Sequence, residues 1–235
     1  MDPENPVVRL CVRGMEAEAA GQADAAHDLF RQAWDTATDD YEACVAAHYL
    51  ARRQSTAEER LRWNEECLMR AERVGDNRVR SFYPSLYVNL GQVHEELGSP
   101  AVAYAHFARA VDHFDAFPPG PYGDWTRLAV ADGLRRTAPG PSAGNEADEE
   151  TPHERRTVVA LRAVDALLGP LVEQWCARSD LRALGVVLPA YLAYLGSPED
   201  RLRLRTALHM VHAGGRLPED EQRRIGAAIG SPVLA

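Results

Sequence analysis

The sequence predicts an all-α protein: an array of helical hairpins followed by a second helical region. Three observations carry that expectation. Apolar residues recur at the helical spacing over almost the whole chain, and no β-branched run with an Asn-Gly or Asp-Gly turn interrupts them. Small and aromatic residues repeat in the same order in two separated segments. One stretch, residues 139–151, is rich in proline, glycine and acid and almost without apolar side chains. It cannot offset its ordering entropy and reads as a flexible linker or long loop between residues 1–138 and 152–235.

Element by element, the periodicity predicts helices near 6–20, 22–37, 40–53, 56–74, 83–97, 99–116 and 122–137. After the linker it predicts helices near 152–177, 179–195, 197–213 and 217–229. Thr56 with Glu59 makes a capping-box pattern, and Pro100 and Pro198 each follow a serine as first-turn prolines.

Composition narrows the chemistry. All 26 basic residues of the 235-residue chain are arginine. Without lysine there is no Schiff base, no P-loop lysine and no kinase-type lysine. The arginine-only, alanine-rich usage suggests a high-GC bacterial genome. The net charge of −9 is concentrated in residues 1–138 and in the linker. Such an acidic body repels phosphate backbones, so nucleic acid is not an expected partner. Nothing resembles a secretory signal, and the longest apolar stretch, residues 184–195, is too short for a bilayer and contains Pro189. Cys11, Cys44, Cys67 and Cys176 form no C-x-x-C pair. These features point to a cytoplasmic protein with free, mostly buried thiols and no membrane association.

The repeat is the most informative pattern. Leu10, Gly14, Ala17, Ala26, Phe30 and Ala33 recur in spacing as Tyr87, Leu90, Gly91, His94, Ala103, Phe107 and Ala110. This resembles the tetratricopeptide repeat (TPR), a helix pair with small residues at its contact points. The resemblance covers about the first 138 residues: 7–40 and 84–117 fit well and 41–83 fits loosely. Tyr122-Gly-Asp-Trp125 resembles the opening helix of a further unit. It implies a right-handed solenoid, which the helices of 152–235 would cap. The run from Asp40 to Arg52, with Leu61 to Asn64, Phe82 to Ser85 and Gly120 to Trp125, is similar to a group of actinobacterial TPR proteins. That similarity implies a scaffold and no particular reaction.

A TPR-like solenoid would present a concave groove to an extended or helical peptide. Its lining would be Met15, Glu18, Tyr49, Arg52, Asn89, Gln92 and Glu95, with Asn89 and Gln92 bonding a ligand backbone and Arg52 pairing with a carboxylate. The same residues read equally well as a solvated polar face. A carboxylate clamp of the lysine-and-asparagine kind is not expected, since Cys11 and Met15 stand where those residues would be and only Asn89 matches. A second set, His48, Trp63, Asn64, Tyr83 and Tyr87, would form a small-ligand pocket if it converged. Aromatic packing at helix seams is its commoner use.

Catalytic and metal signals are weak. His209 and His212 lack a third ligand at convincing spacing, and H-E-x-x-H fails at His94 and His153. Gly140-Pro-Ser-Ala-Gly144 matches G-x-S-x-G but lies in a strandless linker, where that motif has no chemistry. Arg201, Arg205, His209 and His212 share one helix face, read as solvated or as a dock for acidic surface. The expectation is therefore a non-catalytic scaffold for a protein or peptide, with no cofactor and no metal. The alternatives are a ligand-responsive regulator using the His48–Tyr87 set, and an enzyme on a helical scaffold. A homodimer through the C-terminal helices stays open.

Overall fold

A computed structural model describes residues 2–114, 120–140 and 152–235, and these residues contain helices and turns but no strand. The helices are α1 (Pro6–Ala19), α2 (Ala23–Thr36), α3 (Asp40–Ala51), α4 (Ala57–Val74), α5 (Tyr83–Glu96) and α6 (Pro100–Val111). After them come α7 (Pro121–Thr137), α8 (Pro152–Ala177), α9 (Leu181–Leu192), α10 (Pro198–Ala213) and α11 (Glu219–Ile229). Short 3-10 turns occupy Arg80–Phe82 and Pro232–Leu234. The protein is all-α, and the predicted helices lie within a few residues of these bounds. The ends obey local chemistry: Asn5, Asp39, Thr56 and Asp180 cap α1, α3, α4 and α9, and Ser197 forms a reciprocal capping box with Asp200. Most of the predicted linker, from residue 141 on, lies outside the described residues, as does most of the G-x-S-x-G match.

The chain divides into two compact units, Met1–Pro118 and Pro119–Ala235. In the first, α1 packs on α2, α3 on α4 and α5 on α6. The first and third of these hairpins repeat the same glycine, phenylalanine and alanine contact positions at an offset of 77. In one, the Phe30 ring lies on Gly14 so closely that a Cβ there would sit 2.2 Å from the ring edge. In the other, Phe107 lies on Gly91, where a Cβ would sit 2.8 Å from the ring. Ala26, Ala33, Ala103 and Ala110, which flank the rings, are fully buried. The connecting turns match as well. Gly21 and Gly98 both adopt φ +74°, the left-handed region that glycine tolerates, and Gln22 and Ser99 donate to Ala17 and His94 carbonyls in the same pattern. The middle hairpin closes differently, on sulfur: Cys44 and Cys67 meet at 3.7 Å, and the Cys67 thiol donates to the Cys44 carbonyl.

In the second unit, α7 packs with α8 and α9. Its arginines explain why. Arg127 donates to Asp200 at 2.6 Å, and Arg135 grips Asp165 while donating to the Tyr191 and Leu192 carbonyls. A buried node joins α8 to α11, where Glu221 accepts from the Trp175 indole and from Arg178, each at 2.8 Å. The expected basic stripe on α10 is partly consumed by the chain itself. Arg201 donates to the Ala235 oxygen, Tyr194 to the Val233 carbonyl, and Leu234 is buried. His209 and His212 are exposed. Of the four thiols, Cys11, Cys44 and Cys67 are buried and Cys176 is exposed.

Two predictions follow from this packing. Gly14→Ala and Gly91→Ala drive a methyl into a ring and should each lower stability in chemical denaturation by about 2–3 kcal/mol, the upper end for overpacking. Gly185→Ala, on a helix surface with nothing within 4 Å of the new Cβ, should raise it by up to about 1 kcal/mol. The second concerns Glu221, whose carboxyl is held below the usual range by the hydrogen bond from Arg178. Its stabilisation is present above the ordinary carboxylate pKa and is lost as pH falls through the lowered folded value. Glu221→Gln should flatten that acid-side loss in a pH series of denaturant melts.

Candidate functional site

The residues expected to line a groove fall into two groups. Glu18 on α1 meets Arg52 at the end of α3, and Met15 and Tyr49 pack against the same core, because these two helices run parallel and are tied at both ends. At their N-termini, the Asn5 amide that caps α1 also donates to Glu42 of α3 at 2.6 Å. At their C-termini, Glu18 lies 3.2 Å from Arg52 and 3.6 Å from Arg53. Tyr49 stacks on Phe30 at 5.3 Å, and the Arg52 guanidinium lies over the Tyr49 ring at 5.9 Å from its centre. The surface is thus a polar edge on an aromatic floor. Arg52, expected to meet a ligand carboxylate, already has Glu18 beside it while 48% of its side chain stays exposed. Asn89, Gln92 and Glu95 share a face of α5, Gln92 exposed and the other two half-buried.

The aromatic set does not gather into one ring cluster. Trp63 packs edge-on against Trp34 at 4.9 Å, with Arg31 and Arg62 over its faces. His48 meets Tyr49 and Phe82 edge-on. Tyr83 and Tyr87 belong to a third group, a stacked file that continues through histidines of the neighbouring helix and turn. His113 stacks on Tyr83 at 4.9 Å and on Tyr87 at 5.4 Å, and His106 stacks on Tyr87 and on His94. Sequence reasoning missed His106 and His113; their only signal is level, since α5 and the segment after it run antiparallel.

What His48, Trp63 and Asn64 share is polarity without satisfaction. All three are more than nine-tenths buried. Yet His48 Nδ1, Trp63 Nε1 and Asn64 Oδ1 find no hydrogen-bond partner among the described residues, although the Asn64 amide donates to the Arg60 carbonyl. The Cys44–Cys67 contact sets the register of this antiparallel hairpin. It puts His48, one turn on, level with Trp63 and Asn64, one turn back.

Burial governs the titration here. It lowers the His48 pKa to about 4, helped by the Arg52 charge, and lowers His106 to about 4, helped by His94 and Arg109. Both imidazoles are neutral at pH 7. Burial pushes the Cys11 thiol up to about 12 and Cys67 well above its ordinary value, so these sulfurs stay protonated and unreactive. Among the described residues, no three His, Cys, Asp or Glu side chains come together as a metal-holding group. No helix there is long and apolar enough to cross a membrane. Compared with protein-family models, curated proteins and solved structures, the chain finds no match.

The lowered His48 value has a defined sign. A histidine harder to protonate in the folded state than in the unfolded one removes stability as pH falls from about 6.5 towards about 4. His48→Leu should shrink the stability difference between pH 7 and pH 5, measured by denaturant midpoints, leaving the share due to His106.

Proposed function

We propose that the protein is a non-catalytic scaffold that binds a protein or peptide segment through the α1/α3 edge and the polar residues of α5. The observation that carries this reading is the double tie between α1 and α3, Asn5 to Glu42 at one end and Glu18 to Arg52 and Arg53 at the other. Two parallel helices fixed at both ends keep their outward side chains in place before any partner arrives, so little ordering entropy is lost in the receptor on binding. A TPR-like solenoid accounts for this arrangement and for the repeated hairpins, with the second unit as its helical companion. Arg52 remains usable: an exposed ion pair is worth about 0–1 kcal/mol, so a ligand carboxylate can take Arg52 at small cost while Glu18 keeps its pairing with Arg53. Asn89, Gln92 and Glu95 supply the hydrogen-bonding groups for a peptide backbone.

Selection of a displayed random-peptide library against the full chain tests this, with affinities measured by fluorescence anisotropy. Arg52→Glu and Asn89→Ala should each weaken the selected peptide at least tenfold while moving the melting temperature by no more than about 4 °C. Peptides that bind both variants as tightly as the parent would remove the face from consideration.

A second reading, a regulator that admits a small polar ligand to the middle hairpin, is favoured by the three unsatisfied polar atoms of His48, Trp63 and Asn64. A buried donor or acceptor left unpaired costs about 1–3 kcal/mol, which a ligand bearing matching groups would recover. A metabolite fraction that raises the melting temperature of the parent but not of Trp63→Phe would support it.

A further inference from the structure

The second unit carries an apolar cleft that none of the readings above uses. It lies at the open end of the α9/α10 hairpin and encloses about 300 Å³. The first turns of α9 contribute Ala183 and Val186, the last turn of α10 contributes Val211, and Leu217 closes the floor from the connection to α11. Met210, which lines the cleft, is 63% exposed, and Leu181, in sequence between the lining residues Asp180 and Arg182, is 78% exposed. Large apolar residues left out on both sides of an apolar cleft are the mark of a docking surface, and methionine adapts well to such contacts.

The rim supplies the charge. Arg182 and Arg216 both line the cleft, and among the described residues neither guanidinium has a carboxylate partner. Most nearby arginines are committed: Arg178 to Glu221 and Asp180, Arg223 to Glu219, Arg203 to Glu199. The one acid lining the cleft, Asp180, is occupied, accepting from the Ala183 amide and from Arg178. The cleft therefore faces solvent with two unneutralised positive charges around an apolar floor, in a chain whose overall charge is −9. The chain's own acidic stretch, residues 139–151, has no apolar side chain larger than proline and cannot fill the floor.

We propose that this cleft docks an acidic segment of another protein, one that inserts a leucine- or phenylalanine-sized side chain between α9 and α10 while flanking carboxylates pair with Arg182 and Arg216. Arginine suits that role because its planar fork meets a carboxylate through two parallel hydrogen bonds. A recessed floor between helix ends is reached by a protruding side chain rather than by a flat lipid surface. The exposed Leu181 and Met210 extend the contact beyond what a small carboxylate would cover. This surface is separate from the α1/α3 face and stands or falls on its own.

The test uses the full chain and three fluorescein-labelled twelve-residue peptides: a central Leu-Leu flanked by glutamates, the same centre flanked by lysines, and a Ser-Ser centre flanked by glutamates. By anisotropy, the first should bind and the other two should bind at least tenfold more weakly. Arg182→Glu combined with Arg216→Glu, both exposed positions, should leave the melting temperature in place and reverse the preference towards the lysine peptide. Met210→Asp should weaken the first peptide, and Arg52→Glu should not, which separates this site from the face in the first unit. Equal binding of glutamate and lysine peptides overturns the proposal, as does an unchanged preference in the double variant. So does no binding at millimolar peptide, or sedimentation with phosphatidylserine vesicles in place of peptide binding.

Discussion

In the first unit, a phenyl ring lies on a stretch of backbone that has no side chain to keep it away. Phe30 sits on Gly14 and Phe107 on Gly91, and in both hairpins the gap would not admit even a methyl group. A glycine within a helix costs about 1 kcal/mol relative to alanine. Burying a phenylalanine side chain returns about 1.5–3 kcal/mol, so the exchange is favourable provided the two helices approach closely. The ring thereby sets the separation of the hairpin. It also carries Tyr49, which stacks on Phe30 from α3, and so transmits the position of the first hairpin to the next. The shared polar edge of α1 and α3 is held where it is because the floor beneath it is fixed.

The second unit is fastened by a different device. Most of its long-range links run through arginine: Arg127 to Asp200, Arg135 to Asp165 and two carbonyls, and Arg178 to Glu221. A guanidinium has five donors in a fixed fork, so one side chain can join three groups on two helices, as Arg135 does. Where such arginines are satisfied they act as fasteners. Where they stand beside an apolar hollow with no acid at hand, as Arg182 and Arg216 do, the same chemistry becomes recognition.

Much of the architecture was legible in the sequence. Helix positions follow from apolar spacing and from caps such as Thr56 and Ser197, which act within a few residues. The Gly14/Phe30 and Gly91/Phe107 contacts are legible for a related reason, since each joins residues 16 positions apart in one hairpin. The placement of α7 was not. Its opening Tyr122-Gly-Asp-Trp125 looks like the start of another hairpin, whereas its partners, Asp165 and Asp200, lie far along the chain and carry no local mark. The site shows the same division. Spacing puts Met15, Glu18, Tyr49 and Arg52 outward, but the pairing of Arg52 with Glu18 depends on how α1 and α3 meet. The four ring side chains read as one pocket divide among three aromatic groups, since Trp63 packs on Trp34, His48 on Phe82, and Tyr83 and Tyr87 on His113. The α9/α10 cleft had no signature, since it arises where two helix ends meet a turn.

Proton chemical shifts test the central packing most directly. An aromatic ring lying on a glycine shifts that glycine's Hα resonances upfield through its ring current. The two ring contacts require Gly14 and Gly91 to show this displacement together, each returning to an ordinary helical position when its own ring is replaced by leucine. Ordinary Hα shifts at either glycine in the parent protein would contradict the ring-on-glycine packing, and the interaction face built on it would lose its foundation.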